Sequence, residues 1–315
     1  MKKITSIVLS SLACLTLLTG CSSKNLTRIG IIQLVEHPAL DASYQGFVDG
    51  LKEAGYVDGE NIKIDYQNAQ GEQSNCATIA QKLVNDHDAL ILAIATPAAQ
   101  SVANLTDTIP ILVTAVTDPQ SAQLVESNQH PGTNVTGTSD LTPVAAQIRL
   151  LKRLCPEAKT VGLLYCSSEE NSKFQIQIAI EECKKAGLNY IEATVSNSNE
   201  VQQVTQSLVG KVDAIYSPTD NMIASCMSTV AMVANDAKIP TIVGESGMVS
   251  QGGLATYGLN YYQLGKQTAV MAVEILRNGK KPQDMPIQYL DSCDFDYNPD
   301  TLKILGLTLP EDLQK

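Results

Sequence analysis

Histidine is scarce in this chain. Only His37, His87 and His130 occur among 315 residues, and two of them precede proline. The arrangements that activate a serine, a thiol or a zinc-bound water have little to draw on. No G-x-S-x-G elbow, H-E-x-x-H pair or Walker loop is present. None of the eight cysteines forms a C-x-x-C pair or lies near a histidine at zinc-finger spacing. The sequence thus offers no assembled catalytic centre, no metal site and no cofactor motif, and it is read as a non-enzyme. Positive charge is short as well, with 22 Lys+Arg against 33 Asp+Glu and a formal net charge of −11. Such a surface repels phosphate backbones, so nucleic acid is not the expected partner.

Long hydrophobic runs are also missing. A bilayer span needs about 20 apolar residues, and no segment after residue 20 reaches that length. A shorter run stands at the start: Lys2 and Lys3, then a mostly apolar stretch from Ile4 to Leu18. This is the pattern of an export signal. It ends in Leu18-Thr19-Gly20-Cys21, which matches the lipobox of bacterial lipoproteins. Residues 1–20 are therefore expected to be removed and Cys21 to be acylated, with 21–27 as a polar tether. The expected location is the extracytoplasmic face of the cell membrane. The remaining six cysteines, Cys76, Cys155, Cys166, Cys183, Cys226 and Cys293, read as small buried hydrophobes or as a disulfide framework of unassigned connectivity.

What is present is a repeated alternation of short apolar runs and amphipathic stretches. Strands are predicted at 28–35, 61–67, 89–96 and 109–116, with helices at 43–54, 72–85 and 97–105 between and after them. The pattern restarts with strands at 134–139, 160–166, 189–195, 212–216 and 241–244. Helices at 143–154, 170–186, 200–209 and 221–237 accompany them. A strand at 254–259, a helix at 261–278, a strand at 286–290 and a short helix at 299–305 complete the chain. The continuously apolar Ala89–Ala95 run reads as a parallel strand covered on both faces. The fold class is therefore α/β, with two doubly wound parallel-sheet lobes. Residues 28–138 and 260–285 are expected in lobe 1, and 139–259 and 286–315 in lobe 2, so that the chain crosses between lobes three times.

Ligands of such sheets bind beyond the carboxyl ends of strands. Glu36-His37-Pro38, Thr96-Pro97-Ala98-Ala99-Gln100, Thr117-Asp118-Pro119 and Ser139-Asp140 follow strands of the first half. Tyr165 to Ser168, Ser217 to Asn221 and Glu245-Ser246 follow strands of the second. Taken singly, several are ordinary helix starts with a cap. Taken together, they bring hydroxyls, carboxylates and helix N-termini to one cleft. That set suits a zwitterion. The Thr96 hydroxyl and the amides of Ala98, Ala99 and Gln100 can hold a carboxylate. Asp140 and Asp220 can accept from an ammonium.

The stretches VEHPALDASYQGFVDGLKEAGY (35–56), ATPAAQS (95–101), VTDP (116–119), NVTGTSD (134–140), YSPTDN (216–221) and GESG (244–247) carry a resemblance. In this order they resemble the substrate-binding lipoproteins of ABC transporters for tryptophan, tyrosine or phenylalanine. The resemblance implies a type I periplasmic-binding fold and a small amino acid ligand, delivered to an ABC permease with separate ATPase subunits. By matching position it implies a site of Thr96, Ala98, Ala99, Thr117, Asp118, Ser139, Asp140, Thr219, Asp220 and Asn221. Glu36, at the end of the first strand, and Tyr216 join these candidates. Tyr44, Tyr165 and Tyr216 can either stack on an aromatic ligand or pack at strand ends. A monomer is expected. Receptors for a nucleoside, sugar or peptide, and a surface adhesin or sensor, remain open as alternatives.

Overall fold

The computed structural model describes residues 26–314; the expected signal and Cys21 lie outside them. The chain begins with β1 (Thr27–Gln33), α1 (Pro38–Glu53), β2 (Ile62–Asn68), α2 (Gln73–Asn85), β3 (Leu90–Ile94) and α3 (Thr96–Ala103). It continues with β4 (Ile111–Val116), β5 (Val135–Ser139), α4 (Val144–Leu154), β6 (Thr160–Cys166), α5 (Glu170–Lys185) and β7 (Asn189–Val195). Then follow α6 (Val201–Leu208), β8 (Ala214–Ser217), α7 (Asn221–Ser225), α8 (Met227–Asp236), β9 (Thr241–Val243) and α9 (Ser246–Ser250). The last elements are β10 (Ala255–Gly258), α10 (Tyr261–Asn278), β11 (Asp294–Tyr297) and α11 (Pro299–Leu305).

The strands form two sheets, ordered β2-β1-β3-β4-β5 and β11-β10-β9-β8-β6-β7. Every pairing is parallel except that of β10 with β11. Leaving out β11, both sheets have the same winding. Strand order reverses between β1 and β3 in one and between β6 and β8 in the other, which are the places where such sheets open a crevice. The fully buried β3 explains its unbroken apolar run, because helices cover both faces. The edge strand β2 is only half buried and keeps Lys63 and Asp65.

The chain passes between the sheets after β5, after β10 and before β11. The return to the first sheet is made by α10, whose Leu264, Ala272 and Ile275 share a core with Phe47 and Leu51 of α1. Two glycines permit this close approach. A Cβ on Gly46 would lie 2.0 Å from the Tyr262 carbonyl oxygen, and one on Gly265 would lie 2.0 Å from that of Ser43.

Two local expectations are corrected. Residues 286–290 form no strand. They run beside β5, where Ser139 N–H donates to Gln288 O at 2.8 Å and Gln288 N–H to Gly137 O at 2.9 Å. The final strand is instead β11, whose Asp-Phe-Asp-Tyr alternation packs Phe295 between Tyr257 and Tyr297. The single helix expected at 221–237 is broken at Cys226, whose φ of −113° and ψ of 13° leave the helical region. Among the described residues all six cysteines are unpaired.

Candidate functional site

The carboxyl ends of β1, β3 and β4 face those of β6, β8 and β9 across a cleft. Contacts span it directly. Thr117 Oγ1 lies 3.3 Å from Thr219 Oγ1. Gln175 Nε2 donates to Thr117 Oγ1 at 3.4 Å. His37 Nε2 lies 3.4 Å from Asn221 Oδ1. The two lobes are thus apposed, and the cleft is closed.

At its centre is a chamber of about 10 Å³, lined by groups from both lobes that include His37, Thr117, Asp140, Asn171, Thr219, Asp220, Glu245 and Tyr261. Beside it, sharing Asn221, is a cavity of about 220 Å³. Four carboxyls surround these spaces: Asp140, Glu169, Asp220 and Glu245, each no more than 4% exposed. Among the described residues none of the four joins an ion pair. Burying so much acid without a cation is costly. The acids respond by holding their protons. Burial, reinforced by Asp220, pushes Glu169 up to about 7. Burial also pushes Glu245 up to about 7 and raises Asp140 and Asp220 above the ordinary range. His37 moves the other way, to about 4, because burial disfavours its charge. It is neutral at pH 7 and supplies no counter-charge.

The four acids differ in what already holds them. Asp220 accepts from Cys166 N–H at 2.6 Å, Ser172 Oγ at 2.7 Å and Ile223 N–H at 2.8 Å. It is the N-cap of α7 and ties that helix to β6 and α5. Glu169 accepts from Asn171, from both nitrogens of Asn221 and from Met222 N–H. Glu245 caps α9 through Gly247 and Met248. Asp140 is held only by two hydroxyls, Tyr261 at 2.6 Å and Thr117 at 3.1 Å. A carboxylate has about four acceptor positions, so Asp140 and Glu245, with two donors each, keep the most spare capacity; Glu245 is committed to a helix cap, whereas Asp140 meets only side-chain hydroxyls.

Unpartnered polar atoms lie at and near these spaces. Thr96 Oγ1, His37 Nδ1 and Asn171 Oδ1 are buried without a hydrogen-bond partner. Thr96 is the first residue of α3 and caps nothing. The amide of Ala98, in the first turn, has no intrahelical acceptor. The backbone around them is strained. Ala95 has φ 83° and ψ 153°, and Ala115 has φ 53°, at the irregularity between β4 and β5. Such non-glycine conformations cost about 1–3 kcal/mol each and gather where a ligand is held.

Several sequence-derived candidates stand elsewhere. Glu36 is exposed and makes no hydrogen bond; its neighbour His37 enters the cleft instead. Asp118 accepts from Ser121 N–H and Asn128 Nδ2, outside the chamber. Ser139 donates to Thr117 O at 2.7 Å and serves the crossing strand. Tyr216 lies in the lobe core, its hydroxyl donating to Gln147 Oε1 at 2.8 Å, so it has no free face for stacking. Tyr165 donates to Glu192, and Tyr44 packs on Tyr66 with ring centroids 4.5 Å apart. The Ala99 amide is used, donating to Ala95 O at 3.0 Å. Thr117, Asp140, Thr219, Asp220 and Asn221 are brought together around the chamber, while Thr96 and Ala98 line neither space and only Pro97 between them borders the cavity. His37 and Glu245 stood in strand-end segments named from the sequence but were not singled out as site residues, and Asn171, Glu169 and Tyr261 were not foreseen at all. All but Asn171 stand at helix N-caps or first positions next to strand ends, which was the available signal.

The sequence from 28 to 315 matches the family described as ABC transporter substrate binding protein. The chain belongs to that family. It is therefore a binding component of a transporter rather than an enzyme, and it works outside the cytoplasm. Among the described residues no helix is long and apolar enough to cross a membrane. A tyrosine-binding protein of Clostridioides difficile (strain R20291) is 45% identical over 321 residues, covering 97% of this chain and 93% of the relative. A solved structure described as an ABC domain in complex with L-Trp, from Streptococcus pneumonia, is 41% identical with a TM-score of 0.88, covering 91% and 97%. A ligand-free, open structure of a substrate binding protein with adhesive properties from Clostridium difficile is 49% identical. It covers 91% and 97% but reaches a TM-score of only 0.69. Lower similarity at higher identity agrees with a difference in lobe disposition, since the lobes here meet directly across the cleft.

Proposed function

We propose that this substrate-binding protein captures an aromatic amino acid, L-tyrosine foremost, and presents it to an ABC permease. The observation that carries the reading is the set of four buried carboxyls with no cationic partner among the described residues. An α-ammonium supplies the missing charge, and it binds where Asp140 and the Tyr261 hydroxyl meet. The α-carboxylate is held at the start of α3 by the Thr96 hydroxyl and the Ala98 amide. The tyrosine-binding and L-Trp-bound relatives support an aromatic side chain. A thermal-shift screen of the twenty amino acids tests this. A ligand at a hundred times its dissociation constant stabilises by about 2.7 kcal/mol. Tyrosine, tryptophan or phenylalanine should give the largest shifts; a larger shift with an acidic or small aliphatic amino acid contradicts the reading.

We further propose that Cys21 carries a lipid anchor and that the receptor acts as a monomer. The lipobox at residues 18–21 supports the anchor. Cys21→Ala should move the protein from the membrane fraction to the soluble fraction with ligand affinity unchanged. Retention of the variant on membranes after a high-salt wash would rule the anchor out.

A further inference from the structure

We propose that Glu72 reads the far end of the ligand's side chain, accepting a hydrogen bond from a phenolic hydroxyl and so favouring tyrosine over phenylalanine. This rests on the reading of the ligand as an aromatic amino acid with its ammonium in the inner chamber.

That chamber, about 10 Å³, has room for one group the size of a water molecule. The remainder of the ligand must extend into the adjoining cavity of about 220 Å³. The inner end of this cavity is buried, at Leu34, Pro97 and Asn221, and its outer end is exposed, at Glu72, Ser168 and Ser196. A side chain leaving the chamber therefore passes apolar walls and ends among polar groups. Among the described residues, no lysine, arginine or histidine lines the cavity. A ligand carboxylate side chain would meet only like charge there, whereas a hydroxyl would meet an acceptor.

Of the polar groups at the mouth, Ser168 Oγ lies 3.2 Å from Cys166 Sγ, and Ser196 Oγ donates to Glu200 at 3.0 Å. Gln73 at the mouth also makes no side-chain hydrogen bond but offers only a neutral amide; Glu72 is likewise uncommitted and carries the charged, stronger acceptor. It occupies the N-cap of α2, where an acid ordinarily accepts from the first-turn amides, yet it makes no cap bond. Its position is built by the backbone. Gln70 and Gly71 are both left-handed, with φ of 55° and 78°. Ala69 N–H donates to Gln33 O at 2.9 Å and Gly71 N–H to Leu34 O at 2.8 Å, pinning the turn to the end of β1. The turn thereby sets a free carboxylate at the opening of the cavity.

The test is calorimetric titration of wild-type protein, Glu72→Ala and Glu72→Gln with L-tyrosine, L-phenylalanine and O-methyl-L-tyrosine. Both variants should fold, because the side chain is exposed and caps nothing. Wild type should bind tyrosine about tenfold or more tighter than the other two, a difference of about 1.4 kcal/mol. Glu72→Ala should lose that preference through weaker tyrosine binding, with phenylalanine affinity unchanged. Glu72→Gln, a neutral acceptor, should fall between. A tyrosine-to-phenylalanine ratio that is the same in wild type and Glu72→Ala overturns the assignment while leaving the ligand class intact. Wild type that binds none of the three overturns the ligand class and the assignment with it.

Discussion

Asp140 and Asp220 face the same small chamber, and their neighbours give them different tasks. Asp220 is engaged by three internal donors that fasten α7 to β6 and α5, so its carboxylate is chiefly a structural joint. Asp140 meets only neutral hydroxyls and is the better seat for an ammonium. Around them, the raised acids predict a pH dependence whose sign is fixed. Glu169 and Glu245, near 7 in the folded protein against an ordinary 4.5, bind more protons folded than unfolded across that window. Stability without ligand must therefore fall as pH rises through it. His37, near 4 against 6.5, opposes this only below pH 6.5. The ligand-free melting temperature should thus drop between about pH 6.5 and 8. An ammonium favours the ionised acids, so ligand uptake should release protons and affinity should rise over the same interval. Melting curves and calorimetry in buffers of different ionisation enthalpy check both signs. Melting that rises from pH 6.5 to 8, or proton uptake on binding, would contradict the assignment.

Between elements, the closest packing is that of α1 on α10. Gly46→Ala forces a methyl to within 2.0 Å of the Tyr262 carbonyl, and neither helix can yield without leaving the core they share. Overpacking of this kind costs about 1–3 kcal/mol or more, so the variant should melt several degrees below wild type. An unchanged melting temperature would mean that the helices are not in backbone contact. This pairing was not legible in the sequence, because helical periodicity marks which face is apolar but not which helix it meets. The strands were legible, since β3, β4 and β6 carry apolar runs bounded by polar turns. β11 was not, because Asp294 and Asp296 mask its aromatic alternation and it pairs antiparallel at an edge. The break at Cys226 escaped notice because no Gly or Pro marks it. At the site, strand ends and caps pointed to Thr96, Thr117, Asp140 and Asp220. Glu36 and Tyr216 misled for an ordinary reason. Sequence places a residue near a strand end, but the direction of its side chain depends on neighbours such as Gln147, which receives the Tyr216 hydroxyl.

At the scale of the molecule, two sheets of like winding close their strand ends on one acidic cleft. Both lobes contribute to it: His37, Thr117 and Asp140 from one, Asn171, Thr219 and Glu245 from the other. Only the closed arrangement brings these groups together, so ligand binding and closure are coupled through the same contacts. The charge deficit of the cleft is the feature on which the whole account depends. Calorimetric titration of wild-type protein and Asp140→Asn with L-tyrosine and with 3-(4-hydroxyphenyl)propanoate, which lacks the ammonium, tests it most directly. Removing one partner of a buried charge pair costs about 2–5 kcal/mol in binding. Wild type should bind the deaminated compound at least about thirtyfold more weakly than tyrosine, as 2 kcal/mol requires. Asp140→Asn should weaken tyrosine by at least about thirtyfold and leave the already poor affinity for the deaminated compound little changed. Equal wild-type affinity for the two compounds, or wild-type tyrosine affinity in Asp140→Asn, would contradict the claim that this cleft binds its ligand through an ammonium.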